Sequence, residues 1–131
     1  LVDTVKSNGV GKEFSISKYE ILSSSKRKPK AKITVYWNKK KYKASSYGDG
    51  GYDALVTALK KIFKKKKMHF PELTDYEVRI PVGGKTDALV ETKITWKRGN
   101  KVFETVGVST DQVEAAILAT EKMVNIIMKL N

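Results

Sequence analysis

Apolar residues recur in short periodic stretches separated by turn residues. Phe14, Ile16 and Ile21 mark a first strand whose alternation is imperfect. Ile33, Val35 and Trp37 then alternate with Lys32, Thr34 and Tyr36, the period-two pattern of a half-buried strand. Asn38-Lys39-Lys40 reads as a turn and Lys41 to Ser46 as a third strand, before Gly48-Asp49-Gly50-Gly51 breaks the chain. Tyr52, Leu55, Val56, Leu59, Ile62 and Phe63 follow at spacings of three and four, which predicts a helix with one apolar face. Lys64 to Lys67 close that helix, where cations favour the negative end of its dipole.

The same order then returns. Tyr76, Val78 and Ile80 alternate, and Pro81-Val82-Gly83-Gly84 ends the strand. Ala88, Val90, Thr92, Ile94 and Trp96 share one face of the next strand. Arg98-Gly99-Asn100 supplies a hairpin turn with glycine available for positive φ, and Val102 to Val108 form a third strand. Ser109 and Gln112 fit a capping box at the start of a second helix. Val113, Ile117, Val124 and Ile127 stripe its buried side, with Met123 and Leu130 nearby.

Residue matches support a duplication. Lys18-Tyr19-Glu20-Ile21 parallels Asp75-Tyr76-Glu77-Val78, and Ile33-Thr34 parallels Ile94-Thr95. Tyr42 parallels Phe103, Asp53-Ala54 parallels Glu114-Ala115, and Ala58 and Lys61 parallel Ala119 and Lys122. The predicted fold is α+β: two tandem βββα modules related by pseudo-twofold symmetry, with antiparallel sheets each carrying one packed helix. Module one covers about residues 13–67 and module two about 72–130. One such module hides little apolar area, two hide more and a second chain hides more still, so a dimer is expected.

Composition narrows the chemistry. The 131 residues carry a formal charge of +12, and 18 of the 26 basic side chains lie in residues 1–67 against five acids. The remainder carries eight basic and nine acidic residues. Basic runs of this kind bind phosphate backbones or anionic lipid, and are equally what solvated hairpin tips and helix ends look like. With no cysteine, disulfides, thiolate metal sites and a cysteine nucleophile are excluded. The one histidine, His69, cannot build a two-histidine metal site within one chain, and it reads as a connector residue. No apolar run reaches the roughly 20 residues of a membrane span, and the first residues lack a signal-peptide core.

Several of these segments resemble one family. Thr86-Asp87-Ala88-Leu89-Val90-Glu91-Thr92 through Ile94-Thr95-Trp96, Thr105-Val106-Gly107-Val108-Ser109 and Glu114-Ala115-Ala116 look like the C-terminal regulatory domain of the α-isopropylmalate synthase and citramalate synthase family. Tyr47-Gly48-Asp49-Gly50-Gly51-Tyr52-Asp53-Ala54 does too. The resemblance runs through most of residues 13–130, is most distinctive in the second half, and looks closest to the citramalate branch. It implies a homodimer through this domain and feedback inhibition by a branched-chain amino acid near the dimer interface. It also implies a separate N-terminal (β/α)₈ barrel, an acyltransferase that condenses acetyl-CoA with a 2-oxo acid (pyruvate in the citramalate branch). That barrel binds a divalent metal through an acidic residue and a His-x-His pair. Residues 1–12 are then a linker from that barrel, and the present chain is expected to be catalytically silent, free of cofactor and cytoplasmic.

The resemblance also places an effector site. Glycines and a helix start at Gly48-Asp49-Gly50-Gly51 supply backbone amides and a positive dipole end suited to a carboxylate. Asp53 either answers the ligand's ammonium or caps the helix. In the family Gly48, Gly50, Tyr52, Asp53 and Ala54 match the effector-binding segment, and Leu73, Tyr76, Ile80 and Val90 match the apolar wall. Without the family those four read as sheet core. Gln112 is either a polar contact or a cap. Leucine-sensing relatives carry smaller wall residues, so bulky Ile80 and Val90 favour isoleucine over leucine. The competing class is a basic nucleic-acid-binding module using Tyr36, Trp37, Tyr42 and Tyr47. It is the less favoured of the two because it leaves the apolar wall and the near-neutral second module without a purpose.

Overall fold

The imperfect alternation of the first strand is a β-bulge. In the computed structural model, which describes residues 13–80 and 89–130, β1 (Phe14–Ser24) pairs antiparallel with β2 (Arg27–Trp37), and β2 with β3 (Lys40–Tyr47). Phe14 and Ile16 oppose Trp37 and Val35; the register then shifts, and Tyr19 and Ile21 oppose Ile33 and Ala31. Ser17 is the extra residue, and its hydroxyl donates to the Thr34 carbonyl at 3.2 Å. A bulge lets residues an odd number apart share a face, so Ile16 and Tyr19 lie on the same side.

The second sheet repeats the device. β4 (Glu72–Arg79), β5 (Val90–Arg98) and β6 (Lys101–Ser109) pair in that order, all antiparallel. Its register shifts between Leu73 and Asp75, and the Thr74 hydroxyl donates to the Thr95 carbonyl at 3.3 Å. Thr34 and Thr95 are matched positions of the duplication, so the repeat extends to the bulge and its hydrogen bond. The helices α1 (Gly51–Lys65) and α2 (Gln112–Leu130) repeat as well. Lys61 donates from α1 to the Ser45 carbonyl at 2.8 Å, and Lys122 from α2 to the Val106 carbonyl at 2.7 Å. Both carbonyls belong to the strand at the outer edge of the sheet, where a lysine blunts unwanted pairing. The fold is thus α+β with two βββα repeats. It divides into two compact units, Glu13–Phe70 and the chain from Pro71 on, each described by itself.

Each core lies mainly between the helix and the second and third strands, to which β1 adds Phe14 and Ile16 in the first unit. In the first unit Phe14, Trp37, Phe63 and Phe70 form a chain of ring contacts at 5.2, 5.0 and 4.8 Å between centroids. Lys66, just past α1, sits 5.0 Å over the Trp37 ring and 5.4 Å over Tyr42, so part of the lysine block covers aromatic surface. Asn38 and Lys39, both at positive φ, make the tight β2–β3 turn, and Gly99 does so between β5 and β6. In the second unit Ile94, Trp96, Ala115, Ala119, Met123 and Ile127 are fully buried. Any side chain at Gly107 would collide with the Ala115 carbonyl, so this glycine lets α2 lie directly on β6.

The sequence expectations for the start of α2 need correction. The cap is Asp111, whose carboxylate accepts from the amides of Val113 at 2.8 Å and Glu114 at 3.2 Å. Ser109 instead accepts from the Asp111 amide and donates to Glu114, because the helix starts two residues later than the capping box required. The expected linker 1–12, the strand end Pro81-Val82-Gly83-Gly84 and Ala88 lie outside the described residues.

Two threonines on the helix side of the second sheet differ sharply. Thr105 accepts from the Trp96 indole at 2.9 Å and donates to the Ala119 carbonyl at 2.8 Å, tying β5, β6 and α2 together. Thr92 is fully buried, and its hydroxyl has no hydrogen-bond partner among the described residues. The same substitution should therefore act in opposite directions. Thr105→Val strands a buried indole N–H and should destabilise by about 1–3 kcal/mol, whereas Thr92→Val should be neutral or stabilise by up to about 1 kcal/mol. Urea unfolding of both variants checks the pair, and equal destabilisation by the two would contradict the assignment.

Candidate functional site

The residues proposed to bind an effector fall into two groups, one in each unit. The first surrounds the junction of β3 and α1. The Gly48 amide donates to the Pro29 carbonyl at 3.1 Å, and Asp49 pairs with Lys28 at 3.2 Å, so the loop is tied to β2. A Cβ on Gly48 would run into the backbone of Ala54, including its Cα at 2.6 Å, so only glycine allows the loop to lie on the first turn of the helix. Ala54 is fully buried there. Gly50 is the N-cap with extended backbone and no side-chain cap, while nothing stands within 4 Å of the place its Cβ would take. Asp53 is in the first helical turn and exposed, and it does not cap the helix. Its carboxylate still favours the positive dipole end. Tyr52 lies beside it, half-buried.

The second group lies on β4 and β5. Paired residues of an antiparallel ladder share a face. Leu73 opposes Trp96 and Tyr76 opposes Ile94, so both lie on the side that carries α2. Val78 opposes buried Thr92 on that side, and Val90 continues it along β5. The helix, however, packs on β5 and β6 and makes no close approach to β4. The wall is consequently not core: Leu73 is 38% exposed, Tyr76 37% and Ile80, just past the strand, 67%. Partial burial raises the Tyr76 phenol above its ordinary value, so it is a neutral hydrogen-bonding group at physiological pH.

Gln112 is the first residue of α2 and exposed, and the cap role falls to Asp111 rather than to it. Val78 belongs with the open strip by register; its place in the alternation was visible in the sequence, although it was not among the assigned wall residues. The Lys28–Asp49 ion pair left no signal in the sequence, since it joins residues brought together only by the β2–β3 pairing. Two open concavities, of about 590 and 560 Å³, lie within the first unit. Neither is lined by the assigned effector residues: one spreads over the outer face of the first sheet, the other over the end of α1 and His69. Among the described residues no group of histidine, aspartate and glutamate is placed to hold a metal ion, and no helix is long and apolar enough to cross a membrane.

With this geometry in hand, comparison with known proteins is informative. Residues 1–128 match the family described as the LeuA allosteric (dimerisation) domain. A 2-isopropylmalate synthase of Rhodopirellula baltica is 30% identical over 126 residues, covering 95% of this chain and 23% of its own. One from Clostridium kluyveri is 30% identical over 112 residues, covering 86% and 21%. A citramalate synthase, CimA, of Methanocaldococcus jannaschii is 23% identical over 130 residues, covering 98% and 26%. The chain thus spans about a quarter of the length of these relatives. Identity is higher to the two isopropylmalate synthases, so the expected leaning towards the citramalate branch gains no support from similarity. The chain belongs to the LeuA allosteric (dimerisation) domain family.

Proposed function

We propose that this chain is the feedback-sensing domain of a homodimeric acyltransferase and binds a branched-chain amino acid. The observation that carries the reading is the open apolar strip of Leu73, Tyr76, Val78 and Ile80, left bare on the helix side of the second sheet. A strip of this kind suits an aliphatic side chain or a partner surface. The first unit, taken by itself, offers polar groups suited to an amino acid at the glycine loop of α1, where first-turn amides lie at a positive dipole end with no side-chain cap at Gly50. A carboxylate would take those amides and an ammonium would take Asp53. Homodimerisation would bring further surface to the strip, in keeping with the family's description.

Isoleucine is the first choice of effector, because Ile80 and Val90 are bulkier than the small residues of leucine-sensing sites. The whole protein would then make citramalate from acetyl-CoA and pyruvate. Leucine and an isopropylmalate synthase form the second reading, favoured by the higher identity to proteins of that name. The two amino acids are isomers, so discrimination rests on shape and should amount to about 1–3 kcal/mol, or tens- to a hundredfold. Inhibition is linkage: a ligand that prefers one arrangement of the dimer shifts the population towards it.

Thermal-shift measurements across the twenty amino acids should single out one branched-chain member, since a ligand that binds the folded state raises its stability. Isothermal titration should then give saturable heat for it, and silence with both isoleucine and leucine would remove the proposal. Tyr76→Ala should weaken that binding at least tenfold while lowering the melting temperature only slightly, because its ring is more than a third exposed. A fall in melting temperature large enough to account for the lost affinity would assign Tyr76 to packing instead.

A further inference from the structure

The three strands of the first sheet contain eight basic residues and one acid, Glu20, whereas those of the second contain five of each. Pairing sorts most of this charge onto the face turned away from α1. Lys18, Thr34 and Lys43 stand in one row across the sheet, and Glu20, Lys32 and Ser45 in the next. Tyr36 opposes Lys41 at one end of the face, and Tyr47 opposes Lys30 at the other. Lys18, Lys32, Lys41 and Lys43 are exposed and make no ion pair among the described residues. On the second sheet, by contrast, Lys93 is held by Glu77 and Glu104.

Charge alone would attract any polyanion. The aromatic residues narrow the choice. Tyr36 is 43% exposed and Tyr47 54%, on adjacent strands of this outer face, and Lys30 lies 5.5 Å from the centre of the Tyr47 ring. Tyr47 is six residues along β3 from Lys41, the partner of Tyr36, which separates the two tyrosines by roughly 20 Å. Between them lies an open concavity of about 590 Å³ whose lining includes Lys18, Lys32 and Lys43, with Glu20 the one acid among them. Flat rings at both ends of a cationic trough on an antiparallel sheet are what unstacked bases and their phosphates require. We infer that the outer face of the first sheet binds single-stranded nucleic acid, through phosphate contacts to the lysines and base stacking on Tyr36 and Tyr47. This site uses other residues than the amino-acid site, so either can fail without the other.

Fluorescence anisotropy with a labelled 12-nucleotide oligothymidylate tests it on the 131-residue chain. Saturable binding is expected at low salt, with log affinity falling against log salt at a slope of about −3 if four or five phosphates are neutralised. Lys32→Glu with Lys43→Glu should weaken binding at least tenfold. Tyr36→Ser with Tyr47→Ser should weaken it at least fivefold and leave the salt slope unchanged. Lys97→Glu with Lys101→Glu, the same charge change on the second sheet, should alter it less than threefold. All three double variants change exposed positions, and their melting curves verify the fold. Absence of saturable binding overturns the inference. So does equal loss from the two lysine pairs, which would mean net charge alone. Inorganic polyphosphate competing as well as the oligonucleotide, with no effect of the tyrosines, would reduce the face to a polyanion attractor. Tighter binding of polyglutamate would make it a protein contact.

Discussion

One α-helix is too narrow for three strands. A helix with its side chains is about 10–12 Å across, and strands lie about 4.8 Å apart, so a single helix covers two strands and leaves the third. In both units the helix lies mainly on the second and third strands and leaves a gap over the first; α1 reaches β1 only slightly and α2 makes no close approach to β4. The first unit partly closes this gap with aromatics: Phe14 and Ile16 are buried beneath the cluster of Trp37, Phe63 and Phe70. The second unit has no matching cluster on β4, and Leu73, Tyr76 and Ile80 are left exposed. The feature on which a ligand or partner surface can act is therefore a consequence of width.

The order of elements was legible because period-two and period-3.6 patterns are strong in β2, β5, α1 and α2. The first strand of each unit was harder, and the reason is the bulge. Ser17 and Thr74 each insert a residue that reverses the alternation, so Ile16 and Tyr19, or Leu73 and Tyr76, share a face despite an odd spacing. An apolar residue on such a strand reads as core from sequence, since nothing in one dimension says that the helix stops short of it. The cap of α2 was misplaced for a related reason. Ser109, Asp111 and Gln112 all suit the end of a loop, and only the geometry of the turn selects Asp111.

The lysines of the first unit divide by position into four sets. Lys66 covers aromatic surface at the end of α1, and Lys61 satisfies a carbonyl of the edge strand. Lys39 stands in a tight turn at positive φ, where its side chain does little for the fold. Lys18, Lys32, Lys41 and Lys43 on the outer face of the first sheet have, among the described residues, no partner acids of the kind that tie down Lys93 in the second. In sequence all four sets look like one basic half. Only strand pairing separates the lysines that serve packing from those left facing solvent, and of the four aromatics that the sequence grouped with the basic half it keeps Tyr36 and Tyr47 on the outer face while Trp37 is buried and Tyr42 opposes buried Val35.

The two helix starts differ in a way that bears on where an anion can bind. Both present first-turn amides at the positive end of a dipole. At α2 the chain supplies its own carboxylate, Asp111, which occupies the amides of Val113 and Glu114. A second carboxylate there would have to displace the first against its charge. At α1 the corresponding place is Gly50, which brings no side chain, and the loop before it is held down by the Lys28–Asp49 pair and by the close approach of Gly48 to Ala54. Of two copies of one module, the second caps its helix with its own carboxylate, while the first has no side-chain cap. Duplication has thus left two helices with the same place in the module and different chemistry at their first turns.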